Sequence, residues 1–288
     1  MLPVQWSNPT LDYDNFSFFF NVKRKKESYP TALEAAKSTV EYIAANYKPP
    51  YTLFLSGGID SQVMLYSWYI SKVPFTTFCG VYNFNSNYYD ITTLEKFANL
   101  YNIPITYYNI DVLGFLENEH DYYARKYFCG SPHITCYMKM SDMVNEGTTI
   151  FSGNILYDHE RKFVTRNVLG LYHYSVLSGK SVVPYFLCET DEIAHSFDQN
   201  EIDTTSAYDK KLIIYKKNGF PVIPQETSYN GFEKLKEHLD DENNLPRPVE
   251  NIPKIWKNAS QLSTRNFDLL YRNKYESMFI RHKYVHLC

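Results

Sequence analysis

One stretch limits what this chain can fold into more than any other: Leu53-Phe54-Leu55-Ser56-Gly57-Gly58-Ile59-Asp60-Ser61. Tyr51 to Leu55 is a short apolar run behind Pro49-Pro50, and it reads as a buried strand. Ile59 to Tyr69 is apolar on most sides and reads as a buried helix. Two glycines join them. They allow a tight turn and expose backbone N–H groups, to which the helix start adds unpaired N–H groups and a positive dipole end. Ser56 and Ser61 can donate to phosphate oxygens, and Asp60 can hold a metal bridging such oxygens. A plain strand-to-helix turn, with Ser and Asp as caps, uses the same residue types. The residues alone leave both readings open.

The same alternation continues along the chain. Leu33, Ala36, Val40, Ile43 and Tyr47 recur at helical spacing from Pro30. Thr76 to Phe84, Pro104 to Ile110, Thr148 to Ser152 and Val182 to Leu187 are strand-like, as is Phe16 to Val22. Thr92-x-x-Glu95 has the form of a capping box before Leu94, Phe97, Ala98 and Tyr101. Thr190 is placed to cap a helix carrying Ile193, Ala194 and Phe197. Strands alternating with helices predict an α/β fold: a Rossmann-like open, mostly parallel sheet with helices on both faces. Beyond about Asp198 the sequence turns polar, and Asp240 to Pro253 is acidic and Pro-rich. Phe232, Leu235 and Leu239 mark a short helix there and Thr264 to Met278 another, so the C-terminal region reads as mainly helical.

Composition narrows the class. Of 288 residues, 44% are hydrophobic and the net charge is −3, which excludes a generally basic nucleic-acid coat. The five cysteines are odd in number and sparse, unlike a secreted disulfide framework. The N-terminus lacks a basic region followed by an apolar stretch. No apolar run approaches the roughly 20 residues that span a bilayer. The expectation is a cytoplasmic protein without a membrane partner. Aromatics reach 17%, with 27 Tyr and 19 Phe. Tyr51, Phe54, Tyr66, Trp68, Phe97 and Tyr101 fall at predicted buried or half-buried positions. Tyr82, Phe84, Tyr88 and Tyr89 follow the second strand of the alternation, where an aromatic can contact a ligand.

The complete string Ser56-Gly57-Gly58-Ile59-Asp60-Ser61 resembles the Ser-Gly-Gly-x-Asp-Ser signature of the PP-loop ATP pyrophosphatases. That superfamily includes asparagine synthetase, NAD synthetase and the tRNA-thiolation enzymes. Val182 to Leu187 followed by Thr190-Asp191-Glu192-Ile193 resembles the later Pro-Leu…Glu-Ile segment, with Asp191 where many members have Lys or Arg. Ser152-Gly153-Asn154 is a loose match to the second loop of the family. The similarity spans roughly residues 40 to 200. It implies an adenine nucleotide alpha hydrolase-like fold, with ATP and Mg²⁺ as cofactors. It also implies adenylation of a carbonyl or carboxyl oxygen, release of pyrophosphate, and displacement of AMP by an amine or ammonia. By the resemblance, Leu55 to Ser61, Val81-Tyr82-Asn83 and Ser152-Gly153-Asn154 bind the nucleotide, with Asp60 both catalytic and metal-binding.

Candidates for the second half-reaction are fewer. Pro132-x-x-x-Cys136 is faintly similar to the nucleophile segment of tRNA 2-thiouridylases. A cysteine at a helix start has a lowered pKa and suits sulfur transfer, whereas a buried Cys136 is simply a small apolar residue. Lys139 is a candidate phosphate contact. Cys129, His133 and Cys136 lack a natural fourth zinc ligand. His159 to Lys162 and Arg166 offer positive charge, and Gly219 to Gln225 reads as a rigid turn able to line an acceptor pocket. Ser178-Gly179-Lys180-Ser181 lacks the first glycine of a Walker A loop and precedes a strand, so it reads as a surface turn. The expected organisation is 1–47 packing on the core, 48–200 binding nucleotide, and 201–288 on the substrate side or forming an interaction region. A small-molecule acceptor leads, with tRNA or another nucleic acid as a minority reading and a homo-oligomer compatible with either. Thiolation through Cys136 and a catalytically degenerate nucleotide-binding protein are the alternatives to amidation.

Overall fold

A computed structural model describes residues 5–7, 19–21, 31–153, 166–197 and 206–225. Strands β1 (Gln5–Ser7) and β2 (Phe19–Asn21) pair antiparallel. Helix α1 (Ala32–Asn46) then opens on a capping box: Thr31 accepts from the Glu34 backbone N–H, and the Glu34 carboxylate accepts from the Thr31 N–H. From there the chain runs β3 (Tyr51–Phe54), α2 (Ile59–Ser71), β4 (Thr76–Tyr82), α3 (Tyr88–Leu100) and β5 (Tyr107–Ile110). Helices α4 (Val112–Asn118), α5 (His120–Lys126) and α6 (Pro132–Asp142) lead into β6 (Thr148–Ile150). Helix α7 (Arg166–Leu177), β7 (Ser181–Val183), α8 (Asp191–Ser196) and α9 (Ala207–Lys217) complete the described elements.

The central sheet has the order β5-β4-β3-β6-β7, and every pairing in it is parallel. The expected open α/β architecture is what the chain adopts. Alternate strand residues feed two separate cores, because successive side chains point to opposite faces. Tyr51, Leu53, Leu55, Cys79, Ile150 and Val183 pack with α1, α2, α3, α8 and α9. Phe54, Phe78, Phe151 and Val182 pack with α4, α5, α6 and α7. Helices therefore cover both faces. Within the second core the rings form a row across the strands. Tyr108 stacks on Phe78 at 3.9 Å, Phe78 on Phe54 at 4.5 Å, and Phe151 follows at 4.6 Å. Each such pair adds about 0.5–1.5 kcal/mol beyond area burial, so the row is a structural use of the aromatic excess.

Several boundaries differ from expectation. Helix α3 begins at Tyr88, so the Thr92-x-x-Glu95 pattern lies inside it and caps nothing. The chain reverses earlier because Asn87 accepts from the Tyr82 N–H at 3.0 Å and donates to the Gly80 carbonyl at 2.7 Å. The 104–110 strand starts only at Tyr107, and the 182–187 strand ends at Val183 before a short turn of 3-10 helix at Phe186–Cys188. Thr190 does cap α8, accepting from the Ile193 N–H at 3.4 Å. The helices expected around 232–239 and 264–278 lie outside the described residues. Ser178 to Ser181 is a turn as expected, with no atom within 4 Å of a side chain added at Gly179. Lys180 there is tied to the carbonyls of Ser141 and Val144. No described helix is long and apolar enough to cross a membrane.

Candidate phosphate-binding turn at the sheet switch point

The order of the strands places a switch point between β3 and β6, since connections leave these neighbours in opposite directions. In open α/β sheets the crevice beyond the carboxyl ends of two such strands takes the ligand. Leu53 pairs with Ile150, and three residues further on stand Ser56 on one strand and Gly153 on the other. The register thus brings the first and second predicted loops together at one edge. Asn154, with His159 to Lys162, lies outside the described residues.

The turn is shaped by its first glycine. Gly57 has φ +82°, and a side-chain carbon there would lie 2.0 Å from the Asp90 carbonyl oxygen. The backbone of the turn therefore rests directly on the first turn of α3, which only a glycine permits. Gly58 caps α2 without a side chain to occupy the helix's first N–H groups. The serines close the turn: Ser61 donates to the Gly58 carbonyl at 2.8 Å, and the two hydroxyls lie 3.3 Å apart. Ile59 and Leu55 are buried and anchor the turn from beneath.

Side chains from four other elements converge on it. The Tyr137 phenol of α6 lies beside Ser56, and burial pushes its pKa up, with Asp90 adding to the rise. Gln225 donates to the Asp90 carboxylate at 3.1 Å, and its own N–H donates to the Tyr208 hydroxyl at 2.6 Å. Gln62 donates to the Gly57 and Ile223 carbonyls at 3.0 Å each and accepts from the Ile223 N–H at 2.7 Å. Asp60 is held on both carboxylate oxygens. Lys211 pairs with one and the Tyr215 hydroxyl donates to the other. Of the Gly219 to Gln225 segment, Ile223 and Gln225 reach the turn through Gln62 and Asp90. Tyr208, Lys211 and Tyr215 were not legible as site residues, although their spacing puts all three on one side of a helix.

Other candidates take different places. Cys136 is fully buried in the second core, and burial pushes its thiol far up. It lies a full turn inside α6, so the lowered pKa expected of a helix-start cysteine gives way to that of a small apolar core residue. Lys139 is paired with Glu119 at 2.5 Å on the far side of α6, which corrects its expected role at the phosphates. Tyr82 is buried in the same core instead of lining the crevice. Asn83 donates to Asp111 at 3.1 Å and accepts from the Leu113 N–H at 3.2 Å, bridging the ends of β4 and β5. Its amide is thereby committed to the fold. Val81 is half-buried on β4. Tyr88 and Tyr89 are exposed, and Phe84 packs on the core from a backbone at φ +59°.

The metal expected at Asp60 does not fit the residues as they stand. A divalent ion on that carboxylate would face the Lys211 ammonium, a like charge already in contact with it. Among the described residues no three His, Cys, Asp or Glu side chains gather as a metal site, the Cys129–His133–Cys136 set included.

No known protein-family profile and no curated protein sequence matches the chain. Solved structures are similar to it. NMN synthetase from Francisella tularensis is 13% identical, with a TM-score of 0.40 over 89% of this chain and 98% of that one. The U34-tRNA thiolase NcsA from Methanococcus maripaludis, with its 4Fe-4S cluster, is 13% identical, with a TM-score of 0.34 over 85% and 78%. Glutamine-dependent NAD+ synthetase from Acinetobacter baumannii, in complex with ADP, is 14% identical, with a TM-score of 0.33. The match covers 89% of this chain but only 47% of that synthetase. At these identities the likeness speaks to neither substrate nor chemistry, and the reading of the site rests on its own geometry.

Proposed function

We propose that the chain is an ATP-dependent, AMP-forming enzyme whose nucleotide phosphates bind at Ser56 to Ser61. The observation that carries this reading is the glycine turn itself. It stands at the switch point, packs too tightly on α3 for any side chain at position 57, and leaves the first N–H groups of α2 uncapped. That arrangement supplies fixed donors where negative charge develops as pyrophosphate departs. Backbone donors held by a buried helix cost no reorganisation during the reaction, and the serine hydroxyls lie on the same side. An acceptor oxygen attacks the α-phosphate, the bond to the pyrophosphate oxygen breaks, and the acceptor is left as an adenylate. An amine or ammonia then displaces AMP. The buried, high-pKa Cys136 favours nitrogen over protein-borne sulfur in that second step. A small-molecule acceptor leads, since a net charge of −3 provides no generally basic nucleic-acid coat.

Incubating the protein with ATP labelled on the α-phosphate, with candidate carboxylic acids and ammonia, is expected to yield AMP and pyrophosphate together. Formation of ADP, or turnover abolished by Cys136→Ser in a folded protein, would overturn this reading.

A further inference from the structure

We infer that Lys211 is the cation of this phosphate site, so that the turn takes a phosphoanion without a divalent metal. The inference rests on the proposed nucleotide reading and adds to it the source of positive charge. Asp60 stands in the first turn of α2, the turn that carries the uncapped N–H groups. Left alone, its carboxylate would repel an incoming phosphate. In the structure that charge is already answered by the Lys211 ammonium. Both side chains are largely withdrawn from water, at 14% and 21% exposure, so solvent screens the pair far less than a surface ion pair.

Two features let the ammonium serve a ligand. Lysine carries its charge on a flexible four-carbon stem, so it can turn from one acceptor to another nearby. Tyr215, one turn further along α9, keeps its own hydrogen bond to the other Asp60 oxygen. Asp60 therefore stays hydrogen-bonded when Lys211 shifts toward a phosphate oxygen. A divalent ion would instead have to displace the ammonium from a carboxylate that Tyr215 still holds. Helix α9 is itself fixed over the turn. The Tyr208 hydroxyl accepts from the Gln225 N–H, and Gln225 reaches Asp90 on the opposite wall. Lys211 is thus presented to the site by a braced helix.

The test uses the full chain and two probes, ATP and inorganic pyrophosphate, titrated calorimetrically in excess EDTA and again in Mg²⁺. Wild type is expected to bind both probes in EDTA, within a few-fold of its affinity in Mg²⁺. Lys211→Met should weaken metal-free binding by about tenfold or more, the scale of one charge-assisted hydrogen bond, while Lys211→Arg retains most of it. Asp60→Asn should tighten metal-free binding, because it removes the competing anion. A metal ligand at Asp60 predicts the opposite sign. The double variant Asp60→Asn/Lys211→Met leaves no orphaned charge and should bind more weakly than wild type but more tightly than Lys211→Met, where the unanswered carboxylate repels the phosphate, which separates charge loss from misfolding. Binding that requires Mg²⁺ and is lost in Asp60→Asn, or binding unchanged in Lys211→Met, overturns the inference while leaving the nucleotide reading intact. No binding of either probe under any condition overturns both.

Discussion

At the scale of single residues, Gly57 is the position where sequence and geometry agree most closely. Its left-handed backbone and its approach to Asp90 act together, and they can be separated experimentally. Gly179 has a similar backbone angle, φ +72°, with open space around it. Gly179→Ala should cost only the conformational strain, about 1–2 kcal/mol. Gly57→Ala adds a collision with backbone, and it is expected to cost several kcal/mol more or to prevent folding, as read from urea unfolding midpoints. The Ser-Gly-Gly string was legible because this constraint is written in residue types. The role of Asp60 was not, because its partners Lys211 and Tyr215 stand 151 and 155 residues away. No local pattern carries contacts of that range. The fate of Cys136 was likewise a matter of which face of α6 meets the core, and the bland reading prevailed.

Among the elements, the strands were legible wherever a short apolar run followed a breaker, as at Pro49-Pro50 and before Thr148. Helix α3 was misplaced because Tyr88 and Tyr89 at its start are exposed and give no apolar signal. Helix α9 was not anticipated, since Asp209, Lys210, Lys216 and Lys217 make it read as a polar stretch. Only Ile214 and Tyr215 of its interior are buried. The segment that follows it is tied to α2 by Gln62, whose amide satisfies the Gly57 carbonyl and both backbone groups of Ile223. Gln62→Ala removes three hydrogen bonds from a buried position and should cost about 2–3 kcal/mol. Hydrogen exchange is the direct check. The Ile223 amide should exchange much faster in the variant while the amides of β3 stay protected.

For the whole molecule, the open parallel sheet follows from the alternation of strands and helices. The division into two cores follows from the period-2 pattern within each strand. Charge burial was less legible. Glu189 sits in the turn before α8, accepting from the Tyr47 hydroxyl at 2.5 Å, and burial pushes its carboxyl from 4.5 up to about 7. Tyr47 opposes that rise, and Tyr42 and Cys188 are its other titratable neighbours. Because its folded value exceeds its unfolded one, the folded state holds this proton more tightly. Stability should therefore decline as pH rises from 4.5 toward 7, by about 3 kcal/mol at most, and stay low above that. Glu189→Gln should flatten the decline when urea midpoints at pH 5 and pH 8 are compared. A wild-type protein that gains stability over the same interval would contradict the assignment.

The distance in sequence between Asp60 and its two partners has a consequence for the order in which the protein matures. During synthesis the strands β3 to β7 and their helices emerge before α9 does, so the sheet can assemble while the turn still carries an unanswered carboxylate. Only when Lys211 and Tyr215 leave the ribosome is that charge met, and only after Gln225 does the brace across Asp90 close. On the proposed reading, anion-binding competence therefore comes late and depends on a stretch that contributes no strand to the sheet. A nascent chain stalled near residue 200 would hold most of the scaffold yet lack the partners of Asp60.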